Sequence, residues 1–310
     1  MSEPLLRTAA RPAPRTSSSG AFGAVVRALG GGLVMAVALG VGTGFGPALA
    51  DAAGLDGLSA RLLPAALVTV VAVPLILRGA RPRVLGFGGV GPSLRAFLVG
   101  VGVTAASAAL VLGAGTAAGM LDWRRLDPVV LIGFLVSNTA VALLLEALPE
   151  ETTLRGHTWT ALRGRFGGMV SALGTTAVFL LVPGVSTVVQ AGTAWLAGSE
   201  PPPVGLAPGG QNPVDYLVLL TVFGLMLVAA RTALAEAPLW TAIGAHLTFL
   251  TVNRAVLEGD ARGAGLSVEQ TTPDAVLLVP AYLVVASVGF VVCGRFRDAR
   301  HHEGRSRTPS

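Results

Sequence analysis

The chain has 310 residues, 52% hydrophobic and only 13% charged, where a soluble globular domain carries about 25% charged residues. Its 22 basic residues, every one an Arg, and its 17 acidic residues form short clusters between long apolar runs. An ordinary soluble enzyme, a nucleic-acid-binding protein, a disordered chain and a coiled coil are thereby excluded. An all-α, polytopic membrane helix bundle is left.

Residues 1–22 read as a disordered cytoplasmic tail carrying Arg7, Arg11 and Arg15. Apolar runs follow at 28–50, 62–79, 94–120, 128–148, 168–188, 214–235, 237–253 and 274–294, which predicts eight spans within a membrane domain of residues 23–296. The first run ends Ala48-Leu49-Ala50-Asp51, which resembles a signal-peptidase site. That run exceeds a signal core of about 7–15 residues, so it reads as a retained span. Glycines inside spans, as at Gly30–Gly32 and at Gly40 and Gly42, allow close helix packing. The sixth and seventh runs are separated only by the stretch around Glu236 and Pro238, which predicts a tight hairpin or a broken helix. Residues 189–213, with Pro201-Pro202-Pro203, read as an irregular extracytoplasmic loop. Residues 297–310 form a basic cytoplasmic tail in which His301 and His302 read as solvated.

Arg clusters at the N-terminal tail, at 78–95, at 149–167 and at the C-terminal tail alternate with loops that are poor in Arg or mixed in charge. Eight spans with both termini cytoplasmic fit that alternation. The loop at 122–127, with Asp122, Arg124, Arg125 and Asp127, fits it least cleanly. Trp123, Trp159, Trp195 and Trp240 lie near predicted span ends, as interfacial anchors do. The single Cys293 excludes an internal disulfide and reads as a small buried hydrophobe.

An ionisable group at membrane depth is costly and marks a functional site. The candidates are Glu146, Glu150, Glu151, Arg155, His157, Glu236 and His246, with Asn138 and Asn253 as polar companions. On a helix, Glu151 and Arg155 are four apart and can pair. Glu146 and Glu150 are four apart and repel unless one is protonated. Pro149 kinks the span or starts a new segment. One carboxylate paired with Arg155 and another left free is what a general base needs; a plain juxtamembrane charge cluster is the other reading of the same spacing. His246 has apolar neighbours on both sides and must face the bundle interior. A hydrogen-bonded structural histidine is its bland reading. Glu236 reads as a local charge partner of Arg231 or as a helix-end residue.

Glu150-Glu151-x-x-x-Arg155-Gly156 after an apolar span, continued by Thr160 to Gly167 and followed by His246 on a later span, resembles the CPBP family. These are CAAX-processing (Ras-converting-enzyme-like) and bacteriocin-processing integral membrane proteases, also called ABI proteins. The resemblance covers about residues 128–256. It implies an intramembrane endopeptidase whose Glu150 activates water against a peptide bond of a membrane-embedded protein or peptide. Glu151 and Arg155 would support Glu150, and His246 would be an oxyanion donor or, with Glu150, a ligand to a zinc ion. No nucleotide or organic cofactor and no nucleic acid is implied; the partners are the substrate and the lipid bilayer. The Ala-, Gly- and Arg-heavy composition points to a bacterial plasma membrane. The family's second motif, FxxxH, aligns here with Phe179 and Pro183, and the Asn of its third motif aligns with Leu250, with Asn253 one turn on. These departures raise the alternative of an inactive homologue that binds, scaffolds or confers immunity. A transporter using Glu146, Glu236 and His246 as a proton relay is a third reading, without an inverted repeat behind it.

Overall fold

A computed structural model describes residues 18–207 and 211–306, with side chains over 20–207 and 211–297. The expected tail over residues 1–17 and the side chains of His301 and His302 lie outside those described.

Eight principal helices form the bundle. They are α1 (Ser18–Ala52), α2 (Gly57–Gly79), α3 (Val90–Ala117), α4 (Pro128–Arg163), α5 (Gly168–Leu196), α6 (Pro213–Ala233), α7 (Pro238–Val252) and α8 (Leu278–Ser306). The first and last run further than expected. Ser18–Phe22, assigned to the tail by composition, is the first turn of α1, and α8 continues through 297–306. α1 is unbroken through Ala48–Ala50.

Seven of these helices are long and apolar enough to cross a membrane, and α7 is the exception. α7 differs in kind. Thr241, Ala242, Ile243, Gly244, Ala245, His246, Leu247 and Thr248 are buried in succession, so almost no face meets lipid. At 15 residues it is also shorter than the roughly 20 that a bilayer crossing needs. Its neighbours come unusually close. A Cβ on Gly100 of α3 would fall 2.2 Å from the Thr241 carbonyl oxygen, and one on Gly244 would fall 2.3 Å from that of Phe97. Only glycine at both positions lets the backbones meet. α6 and α7 are joined by a tight turn, Leu234–Ala237, with Ala237 at φ 47°. The hairpin of the two expected alternatives is the one formed.

The mixed charges at 122–127 belong to a strand. β1 (Leu121–Leu126) pairs antiparallel with β2 (Leu266–Gln270), with Trp123 opposite Val268 and Leu126 opposite Leu266. Arg124 bridges Asp122 (3.0 Å) and Glu269 (2.5 Å). Asp127 caps the first turn of α4. Trp123 and Trp195 are exposed near element ends, as anchors should be. Trp159 is buried, contrary to expectation, whereas Trp240 is half-buried in the first turn of α7 and packs edge-on against Phe87 and Phe97. Cys293 is free and packs against the core.

Candidate active site

The site is built on α4, whose backbone departs twice from α-helical winding. Leu143–Ala147 and Glu151–Thr158 are wound as π-helix, on either side of Pro149. Pro149 has no N–H to give the Leu145 carbonyl, and its ring crowds that carbonyl. A wider turn beneath it relieves the crowding. The span therefore continues through Pro149 instead of ending there. A third π-helical turn, Asn253–Leu257, extends α7. Such turns cluster at functional sites, and these three carry or adjoin Glu146, Glu150, Glu151, Arg155, Asn253 and Arg254.

Four of the residues expected to act are brought together in the bundle interior. Glu151 and Arg155 are fully buried, and Glu150 and His246 nearly so. Glu151 Oε1 accepts from Arg155 Nη1 at 3.3 Å and lies 2.9 Å from His246 Nδ1. Arg155 donates to that same oxygen, which marks it as an acceptor. The proton of the second bond therefore belongs to Nδ1, and Nε2 is the ring nitrogen left for a substrate. The edge of His246 meets Phe223 at 4.9 Å between centroids, and Phe223 stacks on Phe249 at 4.0 Å. The guanidinium of Arg155 sits 4.6 Å above the Phe179 ring. Its main-chain oxygen accepts from Arg231 Nε at 3.2 Å, and Arg231 Nη2 also reaches the Leu85 oxygen. Arg231 thus pins the turn before α3 onto the π-helical stretch. Gly86, at φ 100° beneath that guanidinium, leaves room for it.

Glu150 is different. Its neighbouring charges are His246, Glu146, Arg155 and Glu151, yet its carboxyl makes no hydrogen bond or ion pair with the described residues. In the neighbouring pair, Glu151 Oε2 and Arg155 Nε and Nη2 are buried without a partner among the described residues. A buried polar atom without a partner costs about 1–3 kcal/mol. Several in one region mark a place that water or a substrate's polar atoms complete.

Glu146 does not need protonation to escape Glu150. It pairs with Arg254 at 2.6 Å, and Arg254 also donates to Asn138 Oδ1 at 3.4 Å. Arg254, just past the apolar run 237–253, is not among the candidates read from the sequence. No local signal marks it, because its partner Glu146 lies 108 residues away in the chain. Asn253 donates to the Phe249 oxygen (2.8 Å) and the Tyr282 hydroxyl (2.7 Å). Both its N–H groups are engaged, so it is not a free oxyanion donor. Glu236 is exposed and makes no ion pair with Arg231, whose partners are the two carbonyls. That expected pair is absent because Arg231 points into the bundle.

The donors do not fit a zinc ion. A catalytic zinc takes three protein ligands, and among the described residues no group of three His, Cys, Asp or Glu side chains is arranged to hold one. Glu151 is committed to Arg155 and His246, and Pro183 stands where a second His would be. His157, six residues beyond Glu151, bonds the Arg27 main chain instead.

The arrangement defines a polytopic membrane protein with a buried acid, histidine and arginine centre. Residues 131–252 match the family model described as type II CAAX prenyl endopeptidase Rce1-like. The match takes in Glu150, Glu151, Arg155 and His246, and it supports a membrane protein of the CPBP family, of the CAAX-type intramembrane protease kind. No curated protein and no solved structure matches the chain.

Proposed function

We propose that the protein is an intramembrane endopeptidase in which Glu150 activates a water molecule against a peptide bond of a membrane-embedded substrate. The observation that carries this reading is the division of labour between adjacent carboxylates. Glu151 is locked to Arg155 and His246, while Glu150 is buried beside them with no hydrogen bond to the described residues. A base must be free to take a proton, and a support must not be.

In this mechanism Glu150 takes a proton from water as the oxygen attacks the carbonyl carbon. His246, held by Glu151 through Nδ1, faces the reacting carbonyl through Nε2. Glu150 then returns its proton to the leaving amine as the carbon–nitrogen bond breaks. Every proton is handled by the chain's own side chains. The alternating Arg clusters favour the Arg-rich end as the cytoplasmic one, and composition favours a bacterial plasma membrane.

The test is cleavage of helical membrane peptides by purified protein in detergent. Glu150→Gln should lower the rate by about 10²–10⁴-fold with the melting temperature near that of the wild type. Equal cleavage by both, or none by either, overturns the reading. The second outcome would favour an inactive homologue that binds a membrane partner, the reading that Pro183, Leu250 and the engaged amide of Asn253 support.

A further inference from the structure

At the Arg-rich end of the bundle, the first turns of α1, the turn at Ala80–Leu85 and the end of α4 enclose an open cavity of about 310 Å³. This is the lower end of the size range of ligand sites. Arg27, His157 and Arg165 line it, with the Thr160 side chain between them and Val84 and Leu85 as an apolar wall. Among the described residues no acidic side chain lines it. Gly20, in the opening turn of α1, also lines it, and the first turn of a long helix favours an anion. The same opening turns of α1 carry Phe22, Val26 and Leu29, which are 72%, 50% and 46% exposed. Cations at a helix-bundle mouth next to lipid-facing apolar residues match an amphiphile, with an anionic head in the cavity and hydrocarbon along the helix. Basic pockets between transmembrane helices take phosphate-bearing headgroups in this way.

We propose that this cavity binds a phosphate group of net negative charge, which an anionic membrane lipid or free phosphate would supply. Arg27, on α1, and Arg165, in the turn after α4, come from distant parts of the chain, so the site depends on the folded bundle. It is separate from the Glu150–His246 centre and does not rest on the proposed proteolysis.

The test is binding of phosphatidylglycerol to the full chain in a neutral maltoside detergent, with phosphatidylcholine as the zwitterionic control. Phosphatidylglycerol should bind saturably and phosphatidylcholine should not. Arg27→Gln and Arg165→Gln should each weaken binding about fivefold, Arg27→Lys should restore it, and Arg124→Gln, on β1, should leave it unchanged. Inorganic phosphate that displaces the lipid would assign the site to the phosphate group itself. Phosphate that fails to displace it would assign the site to the intact lipid. Equal binding of phosphatidylcholine, or equal weakening by Arg124→Gln, overturns the proposal, as does full binding after both Arg27→Gln and Arg165→Gln.

Discussion

Two Glu–Arg pairs in this molecule share the same spacing and little else. Glu151–Arg155 and Glu258–Arg262 are both four residues apart. The first is completely buried with its atoms at 3.3 Å, while the second is nearly half exposed with its atoms at 2.5 Å. The shorter contact is the less consequential one. Water screens Glu258 and Arg262 and would replace either partner, so such a pair contributes about 0.3–0.5 kcal/mol. Glu151 and Arg155 have no water to fall back on, and each is the main reason the other can remain charged there. Surroundings, rather than spacing or distance, decide what a pair does.

That contrast sets a scale of expected effects. The largest belongs to Arg155→Met, which leaves Glu151 uncompensated and should cost about 3–5 kcal/mol, read as a fall in the denaturation midpoint of the purified protein. Glu151→Leu combined with Arg155→Met should cost clearly less than the sum of the two single changes, because no buried charge is stranded. Strict additivity would mean that the two side chains do not act as a pair. Smaller is Glu146→Gln, which strips the partner from Arg254 in a site about one-fifth exposed. It should cost about 1–3 kcal/mol, and an effect as large as that of Arg155→Met would break the ordering. Least of all is Arg262→Gln, expected to stay within about 0.5 kcal/mol of the wild type. A larger loss there would show that the exposed pair is not equivalent to ordinary surface pairs.

What sequence could reveal follows the same division between near and far. The Glu151–Arg155 pair, the hairpin before Pro238 and the interior position of His246 are local or nearly local, and spacing and hydropathy expose them. The bond between Glu151 and His246 joins residues 95 apart in the chain; only the family resemblance put them in one site. The Arg254–Glu146 pair spans 108 residues, and nothing near Arg254 marks it as other than a loop charge. The β1 charges read as ambiguous topology signals because their partner strand begins at Leu266. Trp159 resembles an anchor by position and is buried because α4 continues past Pro149 as one rod. Hydropathy also treats α7 as a weak span, whereas small residues on all its sides make it the most enclosed helix of the bundle.

The π-helical stretch Glu151–Thr158 has a mechanical consequence. Each π turn takes in an extra residue, so α4 carries a built-in phase offset between its two ends. Removing one residue from Glu151–Thr158 would let ordinary α-helix reform and rotate everything beyond it. Arg155 would swing away from Phe179, and Thr158 would leave the Ala28 carbonyl on which it now rests at 3.0 Å. The segment acts as a register lock: it fixes by residue count, rather than by any single contact, which side chains of α4 meet α1, α5 and α7.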